Sequence, residues 1–287
     1  MAAACPEFFK MEQDWGSLTR GEKKRIVQVD GSSDASGARY GQFVSFRYGM
    51  QTLIDSLEYH LRSAGVQIIH DKVSSLQHDG TEWQVSLGKQ ITRTSGVVLA
   101  VPASVAAPIL AKEYSMLSAE LGKIEFAGAA IVSLGFHRQD IAHPLSAAGM
   151  IVPRIAGKRI LAASFSSSKF PGRAPANSVL IRSFIGGALD TGVAELTDAE
   201  LLEKVQLDLK TLLGQSGRPI MVQVDRWHSS MPQYNLGHVE RIKKIQQLEA
   251  TLPSLGLAGG AYEGVGIPQV IHSGQVAAAQ AIKQISN

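Results

Sequence analysis

Residues 259–274, Gly-Gly-Ala-Tyr-Glu-Gly-Val-Gly-Ile-Pro-Gln-Val-Ile-His-Ser-Gly, place five glycines around a small, apolar, periodic stretch. Glycine lets the backbone turn tightly or approach a ligand, and proline fits the first turn of a helix, where its missing N–H costs nothing. The run predicts a strand over Leu255–Ala258, a glycine turn, and a helix packed through Val270, Ile271, Gly274, Ala277, Ala278, Ala281 and Ile282. The N–H groups of Val265, Gly266 and Ile267 would then point, with the positive end of that helix, at an electron-rich ligand edge such as the pyrimidine edge of a flavin. A turn of this kind fits many ligands.

Other chemistries have little support. His60, His70, His78, His137, His143, His228, His238 and His272 show no paired metal-ligand spacing and no H-E-x-x-H, so no metal is expected. Ser166-Ser167-Ser168-Lys169 contains S-x-x-K, but neither K-T-G nor a G-x-S-x-G elbow accompanies it, and a Walker loop is absent. No residue is singled out as catalytic.

The elements that must carry the turn are legible from period and punctuation. Met50, Leu53, Ile54, Leu57 and Leu61 repeat at helical spacing over 49–64, with Gly65 as the stop. Val66–Ile69, Lys72–Leu76, Trp83–Leu87 and Val97–Val101 read as strands, the middle pair joined at Asp79-Gly80. Ala130–Phe136, Gly149–Val152, Arg159–Phe165 and Val179–Ile185 follow without intervening helices, which predicts a largely antiparallel sheet. Thr197-Asp198-Ala199-Glu200 is a capping box whose helix runs to Gly214; Met221–Trp227 is a further strand and Val239–Leu248 a further helix. Residues 31–37 read as a flexible surface loop. The continuous apolar strand Val97–Val101, ending at Pro102, suits the centre of an α/β sheet, whose carboxyl end would put Ala100–Ala103 beside a ligand.

The 259–274 run resembles the C-terminal flavin motif of the protoporphyrinogen and coproporphyrinogen oxidases of haem synthesis. Arg226–Tyr234 with Gly237-His238, Ser166–Pro175, 41–49 and Val97–Pro102 are similar to the same family in consistent order. The resemblance implies FAD, with the Val73 backbone at its adenine, Trp227 against it, and Val265, Gly266 and Ile267 at the ring. It also implies oxidation of a porphyrinogen by six electrons, with O2 reduced to peroxide. A porphyrinogen is a mostly apolar macrocycle with carboxylate tails, so Met150, Ile151, Phe165 and Ile185 are expected to line its pocket, with Arg154, Lys169, Arg173 and Arg182 as candidate cations at the rim.

The family opens with a strand, a G-x-G-x-x-G turn and a helix that hold the FAD pyrophosphate, and no such pattern occurs in these 287 residues. A truncated, separate or lost N-terminal FAD-binding half all remain open, as do another amine-oxidase-like flavoprotein and a non-catalytic remnant that binds the macrocycle. The expected fold class is α/β (α+β): part of a two-layer FAD/NAD(P)-binding flavoprotein with an antiparallel-sheet substrate domain, lacking the N-terminal dinucleotide-binding βαβ. The expected division is 1–65 as a helical, substrate-domain segment, 66–110 in the FAD domain, 111–225 as the substrate-binding sheet and helix, and 226–287 as the C-terminal FAD-domain segment.

Composition fits a piece of such an enzyme. With 45% apolar residues the chain can bury a core, and its +3 net charge is too mild for a nucleic-acid partner. One cysteine, Cys5, excludes an internal disulfide and predicts a reducing, cytoplasmic setting, with peripheral membrane contact left open. The longest apolar stretch, Val97–Leu110, falls short of the roughly 20 residues of a transmembrane span and contains Pro102 and Pro108.

Overall fold

The computed structural model describes residues 6–21, 24 and 44–285, which form two compact units, each discontinuous in sequence. The loop expected over 31–37 lies outside the described residues. One unit comprises Ala38–Ile69 and Phe126–Met231; the other comprises Met1–Gly37, His70–Glu125 and Pro232–Asn287.

The first unit is built on a five-stranded sheet with the order β6-β7-β8-β5-β9. Its strands are β5 (Phe126–His137), β6 (Gly149–Ile151), β7 (Ile160–Phe165), β8 (Ser178–Gly186) and β9 (Met221–Pro232). The pairs β6–β7, β7–β8 and β5–β8 are antiparallel, as expected, although the stretch read as free of helices holds one short turn, α5 (Ser166–Lys169), between β7 and β8. In β8 the residues alternate, so Val179, Ile181, Ser183 and Ile185 are buried while Leu180, Arg182 and Phe184 are half-exposed.

The buried face packs on α6 (Asp198–Leu213), whose Leu201, Val205 and Leu209 are wholly buried. The capping box forms: Thr197 Oγ1 accepts from Glu200 N at 3.3 Å, and Glu200 Oε2 accepts from Thr197 N at 2.8 Å. Gly214 stops the helix at φ 63°. Buried Asp208 of α6 accepts from the Arg159 and Ile160 amides at 2.7 and 3.1 Å, fixing where β7 begins.

The expected helix near the start of this unit is α2 (Gln51–Ser63), none of whose residues is buried. The strand expected at Val66–Ile69 is irregular backbone; four residues with no neighbouring strand cannot satisfy a ladder.

In the second unit, β1 (Val73–His78), β2 (Trp83–Leu87) and β3 (Gln90–Thr94) form an antiparallel meander. Asp79 shapes the predicted turn by accepting from the Thr81 and Glu82 amides, and these bonds hold its carboxyl well below the usual carboxylate range. Strand β3 is unexpected, because Gln-Ile-Thr-Arg-Thr is exposed along most of its length and has no buried alternation to announce it. Wholly buried Trp83 donates from Nε1 to the Pro253 carbonyl at 2.8 Å. That bond ties the meander to the approach of β10 (Leu255–Leu257), which pairs in parallel with β4 (Val97–Leu99).

After β4 the chain enters α3 (Ala103–Leu110), an unpredicted helix that tolerates Pro108 in its interior. Further helices of this unit are α1 (Pro6–Trp15), α4 (Ser115–Gly122), α7 (His238–Glu249) and α8 (Ile267–Ile285). Glu120 of α4 holds Lys244 of α7 at 2.5 Å and Lys123 at 2.9 Å. Three N–H groups of β10 and its flanks bond to side chains: Leu257 to Glu249 Oε1 at 2.7 Å, Gly259 to Ser273 Oγ at 3.0 Å, and Ser254 to Gln284.

Candidate functional site

Strands β4 and β10 run in parallel and end side by side at Leu99 and Leu257. Ligands of open α/β sheets sit at this carboxyl end. Beyond it, β4 leads through Pro102 into α3, and β10 leads into the 258–266 turn and α8. Helix α8 lies hard against the strand: a Cβ on Gly256 would come within 2.9 Å of both Ala277 Cβ and the Ala277 carbonyl oxygen. Glycine and alanine at this crossing thus fix where the helix N-terminus points.

The turn reaches α8 through two positive backbone angles, Gly259 at φ 134° and Gly264 at φ 141°. Gly266 lacks one, so the special backbone geometry belongs to its neighbours. Val265 and Ile267 are 65% and 53% exposed. The Val265, Gly266 and Ile267 amides donate no hydrogen bond among the described residues, as expected for backbone entering a helix.

Behind the turn stand two rings from the Arg226–Tyr234 and Gly237-His238 run, whose contacts its spacing does not reveal. Tyr234 and His238 stack with centroids 4.1 Å apart and planes 13° from parallel. The Tyr234 hydroxyl donates to the Gly260 carbonyl at 2.7 Å and accepts from the Gly264 amide at 2.8 Å. His238 Nε2 lies 3.1 Å from the Tyr262 carbonyl and donates to it; Nδ1 has no partner among the described residues. Burial, with Arg241 adding to it, lowers the imidazole pKa and keeps His238 neutral; burial raises that of the Tyr234 phenol.

A groove of about 630 Å³ opens on the same unit between α7, α8 and β10. Glu249 and Tyr262 lie within it. Burial pushes both groups upward, and the Tyr262 hydroxyl has no partner among the described residues.

The remaining expected site residues are dispersed. Val73 begins β1, half-buried, in the unit that holds the turn. Trp227 is on β9 of the sheet unit, 55% exposed. Phe165 and Ile185 are wholly buried in the sheet core, and Met150 packs against them; none of the three faces outward. The opposite face carries two rows in register: Ser133–Arg182–Ser164 and, beside it, Ile131–Phe184–Ala162. Arg182 lies over the Phe184 ring at 5.8 Å and makes no ion pair among the described residues. Arg173 instead donates to the Phe46 carbonyl at 2.8 Å and to Ser45 Oγ at 3.0 Å.

Residues 1–282 match the family of flavin-containing amine oxidoreductases. The coproporphyrinogen III oxidase of Bacillus subtilis is 32% identical over 98% of this chain, and the same-named protein of Staphylococcus aureus is 30% identical over 99%. Human protoporphyrinogen oxidase is 30% identical over 95%. The chain spans 60%, 62% and 59% of these three proteins. Among solved structures, the "Putative protoporphyrinogen oxidase" of Exiguobacterium sp. 255-15 superposes with a TM-score of 0.79 at 25% identity, covering 97% of this chain and 58% of the other. Reduced UDP-galactopyranose mutase shares the fold at TM-score 0.66 and 13% identity, over 92% of this chain and 57% of the other.

Proposed function

Because this chain belongs to the flavin-containing amine oxidoreductases, we propose that it is the ring-binding and substrate-binding part of an FAD-dependent porphyrinogen oxidase of haem synthesis. The observation that carries this reading is the glycine turn at the carboxyl ends of β4 and β10, with unpartnered amides at the start of α8. These residues fit the electron-rich edge of a flavin. They do not supply the pyrophosphate seat, since no G-x-G-x-x-G turn exists in the sequence. A further polypeptide segment, joined or separate, has to provide it.

FAD held at this turn would supply two-electron redox chemistry, so that removal of six electrons and six protons from a porphyrinogen would be matched by three O2 becoming three hydrogen peroxide. The protein's task is then to place and shield the reactants. Val265, Gly266 and Ile267 would orient the ring, Val73 would meet the adenine and Trp227 would cover the cofactor. On the outward sheet face, half-buried Phe184, Ile131 and Ala162 offer an apolar seat, and Arg182 beside Ser164 offers a charge-assisted partner to a propionate. Met150, Phe165 and Ile185 support that face from beneath. Coproporphyrinogen, with four propionates, suits a cation-bearing face better than protoporphyrinogen with two, and the single cysteine suits work in a reducing cytoplasm. Among the described residues no helix is long and apolar enough to cross a membrane.

The test is co-expression with a polypeptide carrying a strand–G-x-G-x-x-G–helix half, followed by flavin absorbance and porphyrin fluorescence. Stoichiometric FAD and salt-sensitive turnover of coproporphyrinogen are expected from the pair, and weak FAD binding from this chain alone. Retention of stoichiometric FAD by this chain through dialysis would refute the need for a second segment. Faster, salt-independent turnover of protoporphyrinogen would overturn the substrate preference.

A further inference from the structure

A turn with two positive-φ glycines loses much conformational freedom when it orders. Three side chains supplied from 232–249 meet that cost here. The single Tyr234 hydroxyl joins the two limbs of the turn, using its proton toward Gly260 and a lone pair toward Gly264. His238, at the start of α7, holds the Tyr262 carbonyl between those two points. Gln246, two turns further along α7, donates to Glu263 Oε1 at 2.7 Å. The stacked rings support each other, and His238 is only 2% exposed, so its ring leaves this place only by opening the interior.

We propose that Tyr234 and His238 are positioning residues that hold the Gly259–Gly266 turn in its ligand-receiving shape, so that the Val265, Gly266 and Ile267 amides are aimed before any ligand arrives. Neither residue is assigned a contact with the ligand; both act through backbone. The aiming part rests on the flavin reading above, whereas the locking part rests on geometry alone.

The experiment uses the whole chain and four variants: Tyr234→Phe, His238→Gln, His238→Ala and Gln246→Ala. Hydrogen–deuterium exchange is read at residues 259–266, with β5 and β8 as internal controls, and FAD is titrated against each protein with and without the complementing half. Tyr234→Phe keeps the stacked ring and removes both hydrogen bonds. Exchange at Gly264 is expected to rise about tenfold, with control strands unchanged. His238→Gln retains a donor for the Tyr262 carbonyl and is expected to preserve slow exchange, whereas His238→Ala is not. FAD affinity in the complemented protein is expected to fall about fivefold in Tyr234→Phe, with a displaced flavin absorbance band.

Unchanged exchange at Gly264 in Tyr234→Phe overturns the proposal, as does an increase spread evenly over the control strands. Exchange that rises locally while FAD affinity and spectrum stay as in the parent supports the lock and overturns the aiming. In that last case the parent's own flavin titration decides the wider reading: no binding even with the complementing half removes the flavin assignment and leaves the lock standing.

Discussion

The five-stranded sheet and the parallel pair β4–β10 use similar aliphatic residues and end up differently covered. In the sheet, Phe165 and Ile181 are no more than 1% exposed, closed over by α6 and its buried leucines. In the pair, Val98 is 37% exposed, and α8 turns Ile271, Ile282 and Ile285 outward at 50%, 62% and 48%. Parallel strands normally have both faces covered. Helix α2 repeats the pattern, with Ile54 and Leu57 half-exposed on a face that its own spacing marks as apolar. One region is a finished core, and the other a frame that burial leaves incomplete. The candidate ligand turn belongs to the frame.

The comparison can be broken most sharply with large-to-small changes. Phe165→Ala should cost about 3–5 kcal/mol through lost burial and the cavity left behind, read by denaturant unfolding; a cost below 1 kcal/mol would mean the sheet core is not closed. Next comes Gly256→Ala, where overpacking against Ala277 should cost about 1–3 kcal/mol and shift the α8 N-terminus, so that FAD affinity of the complemented protein falls with stability.

Titration probes the β4–β10 frame itself. His238 has a lowered folded pKa, so its contribution is present above the ordinary imidazole value of 6.5 and is lost as pH falls below it. Glu249 has a raised folded pKa, so its contribution is present below the ordinary 4.5 and is lost as pH rises past it. Replacing Glu249 by Gln, which keeps an acceptor for the Leu257 amide, should therefore raise the melting temperature at pH 7 and leave it unchanged at pH 4. An equal effect at both pH values would show that the carboxyl is not penalised by burial. The smallest effect is expected for Ile282→Ser on the outward face of α8, within about 0.5 kcal/mol; a loss of several kcal/mol would mean this face is already covered in solution.

Much of the fold was written in local pattern. A succession of β segments marked the five-stranded sheet, Thr197 and Glu200 marked α6, and the glycine run marked the β10–turn–α8 passage. Helix α3 was hidden because a continuous apolar run has no period, and β3 because its residues face water on both sides. The site was less legible. Phe165 and Ile185 have the apolar character of pocket residues, but only the register of β7 and β8 reveals that they point into the core and Arg182 away from it. Tyr234 lies 26 and 30 residues from the groups it bonds, a distance at which sequence spacing carries no signal.

The side-chain bonds to the amides of Leu257 and Gly259 bear on assembly. An uncapped strand margin invites a neighbouring chain to add itself, and two such margins on one sheet permit growth without end. Glu249 and Ser273 occupy the outward amides of Leu257 and Gly259 at the β10 margin of the pair, while the outer margin of β4 carries no such bond among the described residues. A strand approaching β10 would first have to displace Glu249 and Ser273 from these amides, whereas one approaching the outer side of β4 meets no such side-chain bond among the described residues.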